Sequence, residues 1–163
     1  LLYLSQLENA KSITDFNIVV NNPALAYPTY QLEFKGAPPA TLTLAAYGHM
    51  AELAREAAFR LAYEYEIFSE IIIPTQLAPF QNSLQAIQAS VARTQQIIIA
   101  EEGTLSLGWG AEVLTRLVEA SGVNLKAVQR VAAQEYPVPA SGILEEAVLP
   151  GVDDIIAAAR KMV

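Results

Sequence analysis

The spacing of apolar and polar residues divides the chain at about residue 40. Before it, Asn21-Asn22-Pro23, Tyr27-Pro28 and Gly36-Ala37-Pro38-Pro39 interrupt at short intervals, and such breakers do not sit inside helices or central strands. Two short strands, Phe16 to Val20 and Tyr30 to Phe34, are predicted there. After it, Thr41 to Tyr47 is β-branched and apolar, Gly48 breaks it, and a helix runs from His49 to about Tyr65. That helix places Met50, Leu53, Ala54, Ala57 and Leu61 on one face, with Glu52, Arg55, Glu56 and Arg60 elsewhere. Phe68 to Ile73 and Gln96 to Ala100 are near-continuous apolar runs, the pattern of parallel strands covered on both faces; the first ends at Pro74 and the second at Glu101-Glu102-Gly103. Asn82 and Gln85 have capping-box spacing and open a helix with Leu84, Ile87 and Val91 inward. A loop from Gly103 to Gly110 leads into a helix with Val113, Leu114, Leu117 and Val118 inward, stopped at Ser121-Gly122.

Leu125 to Ala132 reads as a fourth strand, and Tyr136-Pro137-Val138-Pro139 is extended because each proline restricts its predecessor. A last helix starts near Val152. It carries Asp153 and Asp154 in its first turn and Arg160 and Lys161 in its last, charges that complement the backbone dipole, and it turns Ile155, Ile156 and Ala159 inward. Strands alternating with helices of these lengths predict an α/β fold with a mostly parallel sheet and helices on both faces. Residues 1–40 form an irregular extension with short strands, and 41–163 form the α/β domain.

Composition sharpens this picture. Hydrophobic residues make up 53% and charged residues 17% of the 163, so the chain is apolar and poor in charge for a soluble domain. That excludes disorder and suggests a large buried sheet or an apolar interface. No segment approaches the roughly 20 apolar residues that cross a bilayer. There is no Cys, which removes disulfides, thiolate metal sites and cysteine nucleophiles. The net charge of -7 opposes a nucleic-acid backbone, and no basic stripe overrides it. The opening Leu1-Leu2-Tyr3-Leu4 has no basic leader and reads as a cut inside a longer polypeptide in a cytoplasmic or organelle-matrix setting.

The candidates for chemistry are few. His49 follows a strand at the start of a helix, where ligands bind in open α/β sheets; it has no second histidine or nucleophile beside it, so a structural or solvent-exposed role is favoured. Gly103-Thr104-Leu105-Ser106-Leu107-Gly108-Trp109-Gly110 joins strand to helix as phosphate loops do, but lacks both the Lys-Ser/Thr ending and the GxGxxG order, and a packing loop is favoured. Trp109 within it is a candidate interface aromatic. Glu101-Glu102 could serve as an acid/base or hard-metal pair; the preferred reading is that one glutamate orders the following loop through backbone amides and the other faces solvent.

The chain resembles a family. Leu1-Leu2-Tyr3, Leu42 to Gly48, Gln96 to Gly103, Gly108-Trp109-Gly110-Ala111-Glu112-Val113, Pro137-Val138-Pro139, Leu144-Glu145, Leu149-Pro150 and Val152 to Ala159 are similar in order and spacing to the transketolase C-terminal domain. More narrowly, they resemble that domain in the β subunit of the first component of thiamine diphosphate-dependent 2-oxo acid dehydrogenases. The resemblance covers most of residues 40–163. It implies a three-layer α/β/α sandwich with a mostly parallel sheet and an antiparallel edge strand. It further implies an assembly module whose thiamine diphosphate and Mg are held by other domains of the holoenzyme, so no catalytic, cofactor or metal residue is carried over. The implied partners are the α subunit, a second β subunit and the subunit-binding domain of the acyltransferase.

Glu102, Gly103, Leu105, Leu107, Gly108, Trp109 and Gly110 are the candidate subunit interface. Glu145, Glu146, Asp153 and Asp154 are the candidates for docking a basic acyltransferase segment. The family has a richer glycine cluster where this chain has Leu105, Ser106, Leu107 and Trp109. Two alternatives stand beside this reading: the same domain of a transketolase-type transferase, and a free-standing nucleotide-binding module using the Gly103–Gly110 loop. The Pro-Val-Pro segment and the acidic terminal helix favour the dehydrogenase branch.

Overall fold

The computed structural model describes residues 15–21, 27–120 and 124–162. Six strands form one sheet in the order β1-β2-β4-β3-β5-β6, with β1 Phe16–Asn21, β2 Thr29–Phe34, β3 Leu42–Ala46, β4 Ser69–Pro74, β5 Gln96–Thr104 and β6 Ala127–Ala133. Strands β4, β3, β5 and β6 are mutually parallel. β2 runs antiparallel to β4, and β1 antiparallel to β2. The antiparallel pairing therefore lies at one side of the sheet, where both short strands of the first forty residues extend it. The helices are α1 Met50–Tyr65, α2 Gln81–Thr94, α3 Trp109–Glu119, α4 Gly142–Val148 and α5 Val152–Arg160.

Burial explains the strands. All five residues of β3 and all six of β4 are buried, as apolar strands sandwiched between helices must be. Alternate residues face opposite layers. Leu44, Ile71 and Ile98 join Met50, Ala54, Leu61 and Ile155 in one core, so α1 and α5 cover that face. Ala45, Ile72 and Ile99 join Leu84, Ile87, Val113 and Leu117 in the other, covered by α2 and α3. The result is the three-layer α/β/α sandwich. Ala51, Ala54, Ala57 and Ala58 of α1 are buried, and their small side chains leave room for the larger residues of the sheet. The Arg160 guanidinium sits 4.8 Å over the Tyr65 ring, joining α5 to α1.

Several local expectations change. α2 begins at Gln81 with Phe80 as its N-cap, which puts Asn82 inside the first turn rather than at the cap position expected for it. β5 runs on to Thr104 through Glu101-Glu102-Gly103, because β6 pairs beside it across a register shift between Ala100 and Thr104. α4 was not expected from the pattern, since none of its residues is buried and it has no apolar face turned to the core. Tyr136-Pro137-Val138-Pro139 has no regular structure. Leu1-Leu2-Tyr3 and the Ser121-Gly122 stop lie outside the described residues.

Candidate functional site

The connections leaving β3 and β5 diverge, because α1 packs on one face of the sheet and α3 on the other. In an open α/β sheet the crevice beyond the carboxyl ends of two such neighbouring strands is the usual ligand position. Here it is bounded by Tyr47-Gly48-His49 and by the 101–110 segment. Gly48 has φ +58, a left-handed turn that glycine adopts at little cost.

Glu101 occupies the centre. It is completely buried, yet its Oε1 accepts the Gly110 N–H at 3.0 Å and a bond from Arg130 Nη2 at 2.9 Å. Removing a carboxylate from water is costly unless a cation and donors replace the water; β6 and the start of α3 supply both to Oε1, while the buried Oε2 has no hydrogen-bond partner among the described residues. The glycines of the loop exist to fit around this carboxylate. A Cβ on Gly108 would stand 2.2 Å from the Thr104 carbonyl oxygen and 2.6 Å from Glu101 Oε2. A Cβ on Gly110 would stand 2.6 Å from Glu101 Oε1 and 2.8 Å from Arg130 Nε. The loop is thus a cradle already filled by the chain's own carboxylate. A phosphate placed there would meet the Glu101 carboxylate. Glu102, next along, is exposed, which divides the two glutamates as expected.

Trp109 turns inward. Its ring meets Tyr47 edge-on at 5.1 Å and Phe80 at 5.6 Å, geometry favoured by aromatic quadrupoles, so it anchors the start of α3 against the core. The Tyr47 hydroxyl is held above its ordinary pKa chiefly by burial, with the charges of Glu101 and Glu102 adding to the effect. Gly110 is buried beneath the helix start. Leu105 and Leu107 project outward, and Leu107 is fully exposed on a left-handed backbone with φ 60. That conformation strains a residue with a Cβ.

His49 is exposed and lies, with Glu102, Glu145 and Glu146, on the rim of a cleft of about 480 Å³. It caps no helix through its side chain. Among the described residues, no group of three or more His, Asp or Glu is placed to hold a metal ion. The four acids assigned to docking separate. Asp153 pairs with Arg60 at 2.7 Å, and Asp154 Oδ2 accepts the Gly151 N–H at 2.8 Å, starting α5. Glu145 and Glu146 stand exposed on α4. The pattern analysis missed Arg130 and Tyr47. Arg130 was legible as a lone cation in the apolar stretch Ala127 to Ala133, where a buried partner is required.

Comparison with known proteins agrees with this arrangement. The family model described as the transketolase C-terminal domain matches residues 37–155. The mitochondrial pyruvate dehydrogenase E1 component subunit beta of Pisum sativum is 36% identical over 121 residues, 74% of this chain and 33% of that protein. The Rattus norvegicus counterpart is 33% identical over 122 residues, 74% of this chain and 33% of the other. The chain therefore spans about a third of the length of these relatives. Among solved structures, a split-gene transketolase in an inactive β4 tetramer superimposes with a TM-score of 0.65 at 24% identity, covering 77% of this chain and 40% of that one, a likeness of fold. The family-model match over residues 37–155 and the pyruvate dehydrogenase E1 β relatives agree, and the chain belongs to the transketolase C-terminal domain family.

Proposed function

We propose that this chain serves as the C-terminal assembly domain of the β subunit of a thiamine diphosphate-dependent 2-oxo acid dehydrogenase. The observation that carries the reading is the match of residues 37–155 to the family model, joined to 36% identity with a pyruvate dehydrogenase β subunit. In this reading, oxidative decarboxylation takes place on thiamine diphosphate and Mg²⁺ held by other domains, and the α subunit and a second β subunit are the partners. The geometry supports a non-catalytic role for the loop after β5, since its buried carboxylate is committed to Arg130 and Gly110. Glu102, Leu105 and Leu107 are the outward members of the proposed interface, while Gly103, Gly108, Trp109 and Gly110 hold the loop's shape. Glu145 and Glu146 are the acids left to meet a basic acyltransferase segment. The setting is the compartment of the complex, cytoplasmic or organelle matrix.

The test is a chimera in which this chain replaces the C-terminal third of the pea β subunit, produced with the pea α subunit. It should assemble and oxidise pyruvate with an artificial electron acceptor. The chain alone, titrated with thiamine diphosphate and Mg²⁺ in a calorimeter, should give no binding heat and no turnover. Saturable cofactor capture, or decarboxylation by the chain alone, would sink the reading.

A further inference from the structure

At the opposite end of the parallel strands from the β5 loop, the end of β2 and the start of β4 open onto a cavity of about 340 Å³. The 37–40 connection and Arg93, near the end of α2, close its other sides. Phe34, Phe68, Pro38 and Pro39 give it apolar walls, and its charged lining residues are Glu33, Glu70 and Arg93.

These charges form one connected chain. Glu70 is 3% exposed, and Arg93 Nε donates to its Oε1 at 3.3 Å and Arg93 Nη2 to its Oε2 at 2.5 Å. Gln31 Nε2 donates to Glu70 Oε2 at 2.8 Å and to Glu33 Oε1 at 2.5 Å, so both amide hydrogens are used. Two carboxylates therefore share one guanidinium. Glu70 takes it, and half-buried Glu33 has no ion-pair partner among the described residues. Arg93 is also incompletely engaged. Of the five N–H groups of a guanidinium, Glu70 and the Ala89 carbonyl take one on each nitrogen. One N–H on each terminal nitrogen is left over, on a group held in place by a buried carboxylate. Ser69 lines the same cavity, is 2% exposed, and its Oγ has no hydrogen-bond partner among the described residues. A buried polar atom without a partner is uncommon in a native structure, and here it stands beside the other two incomplete groups.

We propose that this cavity binds a free α-amino acid with an apolar side chain. The ammonium group supplies the cation that Glu33 lacks, and the carboxylate takes the two remaining N–H groups of Arg93, a planar fork suited to two-point recognition. The side chain lies against Phe34, Phe68 and the two prolines. Apolar walls with a few fixed polar groups, in a volume of this order, are the anatomy of a small-molecule site. Glu33 and Arg93 are joined through Gln31 and Glu70, which keeps the two charges within reach of one small molecule. A ligand with a single charge answers only one of them. The site lies at the far end of the sheet from the β5 loop and α4, so it stands independently of the assembly reading.

L-Leucine is the probe, with 4-methylpentanoate and 3-methylbutylamine as analogues that keep its side chain and lack the ammonium or the carboxylate. Amide chemical shifts of the isotope-labelled whole chain, followed to about 10 mM ligand, should saturate with leucine and move around Glu33, Ser69 and Glu70. Each analogue should bind about tenfold more weakly or worse, since each gives up one charge-assisted contact. This comparison uses the unaltered chain and does not depend on a variant folding. Glu33→Gln should weaken leucine about tenfold and leave 4-methylpentanoate no weaker than before, a change of preference that a merely structural glutamate would not produce. Ala37→Leu, which fills the cavity, should weaken leucine about tenfold or more, while Glu56→Gln, on the exposed side of α1, should change nothing. Absence of saturation with leucine overturns the proposal. So does equal affinity for leucine and either analogue, a shift pattern centred on the Tyr47–His49 crevice, or full binding by the Ala37→Leu protein.

Discussion

Gly110→Ala sets helix propensity against the carboxylate cradle, and the two effects have opposite signs. Gly110 is the second residue of α3, where an alanine ordinarily stabilises a helix by about 1 kcal/mol. In this structure the new Cβ would lie 2.6 Å from Glu101 Oε1, 2.8 Å from Arg130 Nε and 3.1 Å from Ile99 Cγ2, against about 3.5–4.0 Å for a comfortable contact. The oxygen could swing aside only by giving up the Gly110 N–H bond. A hydrogen bond to a charged group contributes about 1.5–3 kcal/mol. Opening the Arg130 pair as well would leave a wholly buried carboxylate without its cation, a loss of about 3–5 kcal/mol.

Set against the propensity gain, the variant should lose about 2–4 kcal/mol, lowering the melting temperature of a chain this size by about 10 °C. Gly142→Ala is the matched control. It lies at the first residue of α4 with nothing within 4 Å of its Cβ, so stability should hold or rise. Thermal and urea unfolding of the two variants gives the answer. A Gly110→Ala protein as stable as the parent would show that Glu101 is not held where the geometry places it.

Two further outcomes follow from the buried polar groups. The Thr43 hydroxyl lies 2.6 Å from Ser90 Oγ and 2.7 Å from Thr94 Oγ1, tying β3 to α2 inside the core. Thr43→Val keeps the shape and orphans Ser90, and urea unfolding should report a loss of about 1–2 kcal/mol; no loss would mean the triad contributes nothing. Because the Tyr47 hydroxyl is held above its ordinary value of 10.0 by burial and by the charges of Glu101 and Glu102, the folded protein keeps that proton when the unfolded chain has lost it. The resulting stability is fully present below pH 10.0 and is lost as pH rises through the folded value. Tyr47→Phe should therefore flatten the alkaline fall in stability, and an unchanged slope would contradict the raised value.

Much of the architecture was legible in residue order. Leu42 to Ala46, Ile71 to Ile73 and Ile97 to Ala100 are too continuously apolar for anything but strands covered on both faces. Met50 to Leu61 repeats at helical spacing, and the charges at the ends of α5 mark its limits. These signals are local, so periodicity alone reveals them. The division of Glu101 and Glu102 into a buried loop-holder and an exposed neighbour also followed from the sequence, because a strand-ending carboxylate beside glycines has backbone amides within reach.

What the chain order could not disclose depends on residues distant in sequence. The partner of Glu101 is Arg130, 29 positions away on another strand, and only β5–β6 pairing brings them together. β5 outruns its apolar stretch because β6 pairs with it again at Thr104 and Ala133, past a register shift, which no local preference encodes. Trp109 read as an outward aromatic until Tyr47 and Phe80, from two other connections, closed around it. α4 left no periodic trace because none of its residues is buried against this chain's own core.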